Sequence, residues 1–241
     1  MRHFLIEFIT GGGLSGKALP KALVKEGEMM VQTLLHELSE AGYLDIALTR
    51  DKRLEFFEHN LKQYIINKSL EEELKEHIIK SDIVWLIAPE TDGCLATFAE
   101  KFVRNGQTYI GSSPDAIRIA TSKLLTNKLL ADAGIKIVDT KSLDNKIIES
   151  QAGWIIKPND GVGGEFCRFI NDKEKLEKVI TEDKNKGFIM QPFIDGRHMS
   201  MSLLVLDGAV RLLGCNEQYV EIRNGCVSLT GIGINQCLYL K

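Results

Sequence analysis

The chain has 241 residues, with 44% hydrophobic and 26% charged residues, which is enough for two folded domains and typical of a globular protein. A formal net charge of −3 excludes the basic surface that follows a nucleic-acid backbone, so we expect no nucleic-acid partner. No apolar run approaches the roughly 18 residues of a membrane span, no signal peptide is recognisable, and the scattered cysteines fit reduced thiols. We therefore expect a cytoplasmic protein without membrane contact.

The first half of the chain alternates apolar runs with amphipathic stretches, the pattern of parallel strands joined by crossover helices. It predicts strands over residues 4–9, 45–49, 83–88 and 108–110, and helices over residues 26–41, 70–79 and 93–105. The turn-forming stretch GSSP, residues 111–114, then interrupts the pattern. We therefore predict an open parallel α/β domain over residues 1–112.

The second half has the mixed order of an α+β region. Its predicted helices cover residues 115–133 and 173–182, and its predicted strands cover residues 154–157, 167–170, 188–191, 199–206 and 209–215. Asp207 and Gly208 form the signal of a two-residue type I′ hairpin between the last two strands. We predict one subdomain over residues 113–190 and the start of another over residues 191–241.

A lysine at the end of an apolar strand precedes a glycine-rich loop in the stretch IIKPNDGVGGEF, residues 155–166. Glycines let backbone N–H groups close over phosphate oxygens, and a lysine at a strand end supplies a fixed positive charge. The stretch can therefore hold a triphosphate. The alternative interpretation is an ordinary hairpin turn with a solvated lysine.

Two further stretches frame this loop. SKLLTNKLLADAGI, residues 122–135, indicates a helix with a glycine stop, in which Lys123 by itself is more often solvated than a ligand. FIMQPFIDG, residues 188–196, indicates a strand that breaks at Pro192, whose missing N–H leaves neighbouring backbone groups free for a ligand such as an adenine edge. A kinked edge strand is the alternative interpretation of the second stretch.

The order of these three stretches, followed by a hairpin, resembles the ATP-grasp superfamily over about residues 81–236. IAPETDG at residues 87–93 and EGEMM at residues 26–30 are similar to the tyramine–glutamate ligase group, which is associated with methanofuran-type cofactor synthesis. The resemblance implies ATP-grasp α+β subdomains after the first domain, the last of them incomplete. It also implies an enzyme that activates a carboxylate with ATP and joins it to an amine.

The resemblance implies roles for particular residues. Lys123 and Lys157 would hold the ATP phosphates and carry the catalysis. The mobile loop above the phosphates would consist of Gly161, Val162, Gly163 and Gly164. The residues around the adenine would be Gln191, Pro192, Phe193 and Ile194. His198 would contact the ribose, at a position where many relatives have a carboxylate.

The substrate site implied by the resemblance borders the nucleotide and includes Glu26, Glu90 and Asp92. A helix-start acid and a loop turn are alternative interpretations of these residues. The implied partners are a small-molecule carboxylate and a small-molecule amine. The sequence leaves the oligomeric state open, a homodimer included.

The implied cofactors are ATP and Mg²⁺. The γ-phosphoryl group would move to the carboxylate, and the amine would then displace phosphate from the acyl-phosphate. The family holds its magnesium with an acidic residue, then a Glu and an Asn, on strands after the hairpin, so we expect the ligands beyond Lys241. Glu217 and Glu221 remain available, although surface glutamates are usually solvated.

Two other functions compete with this one. GGGLSGK at residues 11–17 fits the GxxxxGK pattern of a P-loop NTPase, but Ala18 stands where a Ser or Thr would bind magnesium. A nucleotide-binding protein without ligase chemistry is the second alternative, because the family's metal ligands are missing from the sequence.

Overall fold

The computed structural model describes residues 1–57, 61–77, 81–144, 146–161, 163–183 and 186–236, without the side chains of residues 76 and 77. It divides the chain into two compact units, Met1–Arg118 and Ile119–Lys241. Within the described residues, no helix has both the length and the apolar character needed to cross a membrane. The three-part division at residues 112 and 190 stays a prediction.

The first unit is built on a parallel sheet with the strand order β3-β2-β1-β4-β5. The strands are β1 (His3–Glu7), β2 (Ile46–Asp51), β3 (Lys62–Ile66), β4 (Ile83–Ile87) and β5 (Thr108–Ile110). The helices along this part of the chain are α1 (Lys21–Glu40), α2 (Leu70–His77), α3 (Cys94–Arg104) and α4 (Pro114–Thr121). The predicted open parallel α/β fold is confirmed, and β3 is a strand that the prediction missed.

Helices cover both faces of this sheet, because successive side chains of a strand point to opposite faces. On one face Leu5 and Leu48 pack with Val31 of α1. On the other face Phe4 packs in a cluster that contains Phe102 of α3. With both faces covered, β1 and β2 are buried at every position rather than at alternate ones.

The second unit contains a seven-stranded sheet with the order β10-β11-β12-β8-β7-β9-β6. Its strands are β6 (Lys141–Ser142), β7 (Trp154–Pro158), β8 (Arg168–Ile170), β9 (Phe188–Pro192), β10 (Met199–Leu206), β11 (Ala209–Arg223) and β12 (Cys226–Gly233). The helices are α5 (Lys123–Asp132) and α6 (Lys173–Asp183). The strand–loop–strand–helix–strand order predicted for β7, β8, α6 and β9 is confirmed.

The single helix predicted over residues 115–133 is wrong, because the structure has two helices that meet at Ser122. Ser122 has an extended backbone (φ −88°, ψ 113°), and its Oγ accepts a hydrogen bond from the backbone N of Leu125 at 3.2 Å. A serine in this geometry satisfies a free N–H group at a helix start. Helix α4 therefore ends at Thr121, and α5 begins at Lys123.

Two tight turns connect the antiparallel strands at the end of the second unit. Asp207 and Gly208 have φ values of 50° and 78°, so both adopt the left-handed conformation that a type I′ hairpin requires. This predicted hairpin is confirmed. Asn224 and Gly225 repeat the geometry, with φ values of 51° and 80°, between β11 and β12. The sequence-based prediction missed this second hairpin.

Candidate functional site

Strands β7 and β9 present Lys157 and Gln191 on the same face of the second sheet. Ile155 lies opposite Gln191 in the antiparallel register, and Lys157 lies opposite Ile189. Opposite residues share a face, whereas Ile156 points to the other face and is buried in the core beneath α6. The face that carries Lys157 and Gln191 is therefore the one left for a ligand.

A cavity of about 260 Å³ opens on this face. Its polar lining includes Lys157, Gln191 and His198. Its apolar lining consists of Val138, Ile155, Pro192, Phe193, Ile194, Val220, Ile222 and Val227. An apolar slot with a few polar groups is typical of sites for small ligands. The structure thus gathers Lys157, the predicted adenine stretch and His198 around one cavity.

The two predicted phosphate lysines are both half-buried, and the charge of Lys157 acts on Lys123. Burial lowers the pKa of the Lys157 ammonium. Burial also lowers the pKa of Lys123, and the charge of Lys157 lowers it further, whereas Asp160 acts in the opposite direction. The Lys123 Nζ donates to the carbonyl oxygens of Asn159 at 3.2 Å and Gly161 at 2.6 Å. Two partly desolvated cations close together favour an anionic ligand.

Asn159 fixes the start of the glycine loop to the start of α5. Its backbone oxygen accepts from the backbone N of Lys123 at 3.0 Å, and its Oδ1 accepts from the backbone N of Leu124 at 3.0 Å. Its Nδ2 donates to the Oγ of Ser122 at 3.0 Å. These bonds bring Lys123 next to the strand that carries Lys157. The sequence-based prediction did not assign this role to Asn159.

The glycine loop itself has room around its backbone. Gly163 and Gly164 have φ values of 65° and 78°, and a Cβ at Gly163 would meet no atom within 4 Å. Val162, predicted to lie on this loop, is outside the described residues. At the end of the loop, Cys167 also lines the cavity, and burial raises the pKa of its thiol while the two lysines oppose that rise.

The other glycine-rich stretch, residues 11–17, is folded on itself. The Glu7 carboxylate accepts from the backbone N of Ile9 at 3.0 Å and of Thr10 at 2.7 Å. Further along the loop, four N–H groups donate to a carbonyl only a few residues earlier: Gly11 to Glu7, Gly13 to Phe8, Ser15 to Gly12 and Lys17 to Leu14. These four amides already have acceptors, so they are not available to hold phosphate oxygens as the amides of a P-loop do.

The predicted substrate residues Glu26, Glu90 and Asp92 belong to the first unit, whereas the cavity is lined by residues of the second. Glu26 is exposed on α1, and Glu90 and Asp92 lie at the 3₁₀ turn Thr91–Gly93 after β4. Two residues further along α1, Glu28 forms a salt bridge with the buried Arg50 at 2.7 Å.

The candidate metal ligands Glu217 and Glu221 do not belong to a cluster of metal-binding side chains among the described residues. No three His, Cys, Asp or Glu side chains among them come together as a metal-ligand group. Glu217 is paired with Arg197 at 3.0 Å, and Glu221 is paired with Arg223 at 2.6 Å. Both glutamates that the sequence offered for the metal are therefore engaged with arginines.

Comparisons with known proteins agree with this architecture. Residues 120–235 match the model of the ATP-grasp domain, and residues 44–117 match the pre ATP-grasp 3 domain. The tyramine–L-glutamate ligase of Methanocaldococcus jannaschii is 30% identical over 211 residues, which cover 84% of this chain and 59% of that protein. The chain thus spans less than two thirds of the length of this relative.

Solved structures show the same fold. An Archaeoglobus fulgidus protein assigned to the ATP-grasp superfamily superposes with a TM-score of 0.68 at 24% identity, covering 92% of this chain and 62% of that one. The N5-carboxyaminoimidazole synthetase of Staphylococcus aureus, solved with ADP, superposes with a TM-score of 0.62 at 17% identity, covering 94% and 56%. The parallel sheet followed by an antiparallel sheet is therefore shared with these proteins.

Proposed function

The chain belongs to the ATP-grasp superfamily, and we propose that it binds ATP in the cavity beside Lys157 and uses it to join a carboxylate to an amine. One observation carries the proposal above all. Two half-buried lysines with lowered pKa values lie beside an open glycine loop, and one of them, Lys157, also lines an apolar cavity of about 260 Å³ with a few polar groups.

Each part of the site has a role in this proposal. Lys157 and Lys123 neutralise the phosphates, and Gly161, Gly163 and Gly164 let the loop backbone approach them. The adenine enters the apolar part of the cavity between Ile155 and the stretch of residues 191–194, and His198 reaches the ribose. Most of the rate enhancement then comes from positioning and from charge neutralisation, because phosphoryl transfer needs little covalent help from the protein.

The substrates are proposed from the named relative. Glutamate would supply the carboxylate that accepts the γ-phosphoryl group, and tyramine would supply the amine that displaces phosphate from the acyl-phosphate. Glu26, Glu90 and Asp92 remain candidates for binding these substrates. Of the three, Glu90 is half-buried and Asp92 exposed, with a left-handed backbone at φ 55°.

The alternative function is nucleotide binding without ligase chemistry. The observation that favours it is the ion pairing of Glu217 and Glu221 with arginines, together with the lack of a metal-ligand group among the described residues. The lysine pair and the base cavity do not depend on such a group. Binding would therefore survive in this alternative, and turnover would not.

A titration of ATP by calorimetry, with and without Mg²⁺, tests binding, and ADP release in the presence of glutamate and tyramine tests turnover. We expect saturable ATP binding in both titrations. ADP release that requires both substrates supports the ligase. Binding without ADP release supports the alternative, and the absence of any ATP binding contradicts both functions.

A further inference from the structure

The Gln191 side chain lines the cavity, and a hydrogen bond with Thr140 fixes its orientation. The Gln191 Nε2 lies 2.8 Å from the Thr140 Oγ1. The Thr140 Oγ1 lies 2.8 Å from the backbone oxygen of Val138, which also accepts from the Asn127 Nδ2 at 3.0 Å. The result is a chain of hydrogen bonds from α5 to the face of β9 that lines the cavity.

The chemistry of the hydroxyl group decides which way the Gln191 amide points. A carbonyl oxygen has no proton, so the single proton of the Thr140 hydroxyl must be donated to Val138. The Thr140 oxygen can then only accept, and its partner must be the NH₂ group of Gln191. A flipped amide would place its oxygen against another acceptor. The hydrogen bond with Thr140 thereby keeps the Gln191 Nε2 directed at Thr140 and leaves the Gln191 Oε1 available for other donors.

We propose that Thr140 is a positioning residue that makes the cavity select a purine with a 6-amino group. This inference rests on the proposed function, since it assumes that a nucleotide base enters the cavity. Adenine carries an amino group at position 6 and donates a hydrogen bond from it, whereas hypoxanthine and guanine carry an oxygen there. The Gln191 Oε1 accepts from the amino group and repels the oxygen. A site with an oriented polar group discriminates by leaving the wrong partner unpaired.

The position of Gln191 in the sheet supports this role. It lies opposite Ile155, two residues before Lys157 on β7, and both Gln191 and Lys157 line the same cavity. Ile155 and Phe193 give the cavity apolar walls beside this amide. A hydrogen bond in such surroundings contributes more to specificity than one at the surface.

The test compares the affinities of ATP and inosine triphosphate, whose bases differ at position 6 and in the proton on N1, for the full chain and its variants. The wild-type protein should prefer ATP. Thr140→Val removes the hydroxyl at nearly constant shape and should lower the ratio of the two affinities by about tenfold. Thr140→Ser keeps a hydroxyl and should retain most of the preference. Purine riboside triphosphate, which has no group at position 6, should bind the wild type and Thr140→Val with similar affinity.

The outcomes separate this inference from the function on which it rests. An unchanged ratio in Thr140→Val, or an equal loss for all three nucleotides, overturns the positioning role, because a purely structural contact would weaken every base alike. Failure of the wild type to bind any nucleotide overturns the proposed function instead. If Thr140→Val has a melting transition that shows it is unfolded, Gln191→Leu takes its place, and this variant must also lose the preference for ATP.

Discussion

The two glycine-rich loops look alike in sequence, since each follows an apolar strand and has a lysine within it or just before it, yet they differ in what their backbones do. In the loop of residues 11–17, the N–H groups of Gly11, Gly13 and Lys17 all donate to nearby carbonyls. In the loop after β7, Gly163 and Gly164 have space around them, and the nearby Lys157 is half-buried. Lys17, by contrast, is exposed.

This difference shows that glycine content alone does not identify a phosphate site. Glycine permits two uses of a loop, namely close packing of the backbone and close approach of a ligand. A Cβ at Gly12 would lie 2.6 Å from the Cβ of Ile66, so its glycine serves packing. At Gly163 no atom is near, so its glycine leaves space for a ligand. The lysine near each loop distinguishes the two cases. A nearby anion stabilises the charged form of a desolvated lysine more than that of a solvated one.

Substitution of the packing glycine should have the largest effect. Gly12→Ala combines a left-handed backbone (φ 94°) with overlap against the buried Ile66 side chain, and we expect it to lower the free energy of unfolding by about 3 kcal/mol. Gly163→Ala has only the backbone penalty and should cost about 1 kcal/mol. Urea unfolding of both variants measures the contrast. Equal losses would mean that the two loops are packed alike.

Removal of the buried lysine should have the next largest effect. Lys157→Met keeps the length of the side chain but removes the charge, and we expect ATP affinity to fall by about a hundredfold, or about 2.7 kcal/mol. Lys17→Met is the matched control and should leave the affinity within about a factor of two. Isothermal titration of ATP measures both variants. A loss in the Lys17 variant alone would move the nucleotide to the first loop.

The pH dependence of binding should be the smallest effect. The pKa values of Lys157 and Lys123 are lowered in the free protein, and phosphates favour the charged ammonium groups. ATP affinity should therefore be complete below the lowered pKa values and decline, by about threefold or more, as the pH rises through them. Titrations between pH 7.5 and roughly 10 measure it. A decline of the same size in Lys157→Met would assign it to another group.

The stability of the nucleotide-free protein should change with pH in the opposite direction. A lysine whose pKa is lower in the folded than in the unfolded chain binds fewer protons when folded. The free energy of unfolding therefore rises as the pH increases from the folded pKa towards the ordinary lysine value. The stabilising effect of alkaline pH and the loss of affinity thus have one cause, the desolvation of the same ammonium groups.

The sequence predicted most of the fold because its strands and helices have strong periodic patterns. Two of the missed elements have weak ones: β3 (Lys62–Ile66) is half-exposed at a sheet edge, and β6 (Lys141–Ser142) has only two residues. The break before α5 depends on Ser122, whose capping role a helical pattern hides. β3 and β6 depend on pairing with strands elsewhere in the chain, whereas the break before α5 depends on the local cap at Ser122.

The candidate site was predictable in its members and not in its connections. Lys123, Lys157 and Gln191 were singled out from sequence, and the structure places Lys157 and Gln191 at one cavity. The contacts of Asn159 with α5 and of Thr140 with Gln191 bridge 35 and 51 positions of the chain. Side-chain hydrogen bonds of this range leave no local pattern, so sequence reasoning had no signal for them. The assigned roles of the site residues stay predictions.

The Asn159 contacts also restrict how this chain can diverge. The Asn159 side chain forms hydrogen bonds with Leu124 and Ser122, and its backbone oxygen accepts from Lys123. A replacement at position 159 therefore disturbs the start of a helix 35 residues earlier. A compensating change at position 122 would have to accompany it. We therefore expect residues 122–124 and Asn159 to change together, because their hydrogen bonds join the start of α5 to the start of the glycine loop.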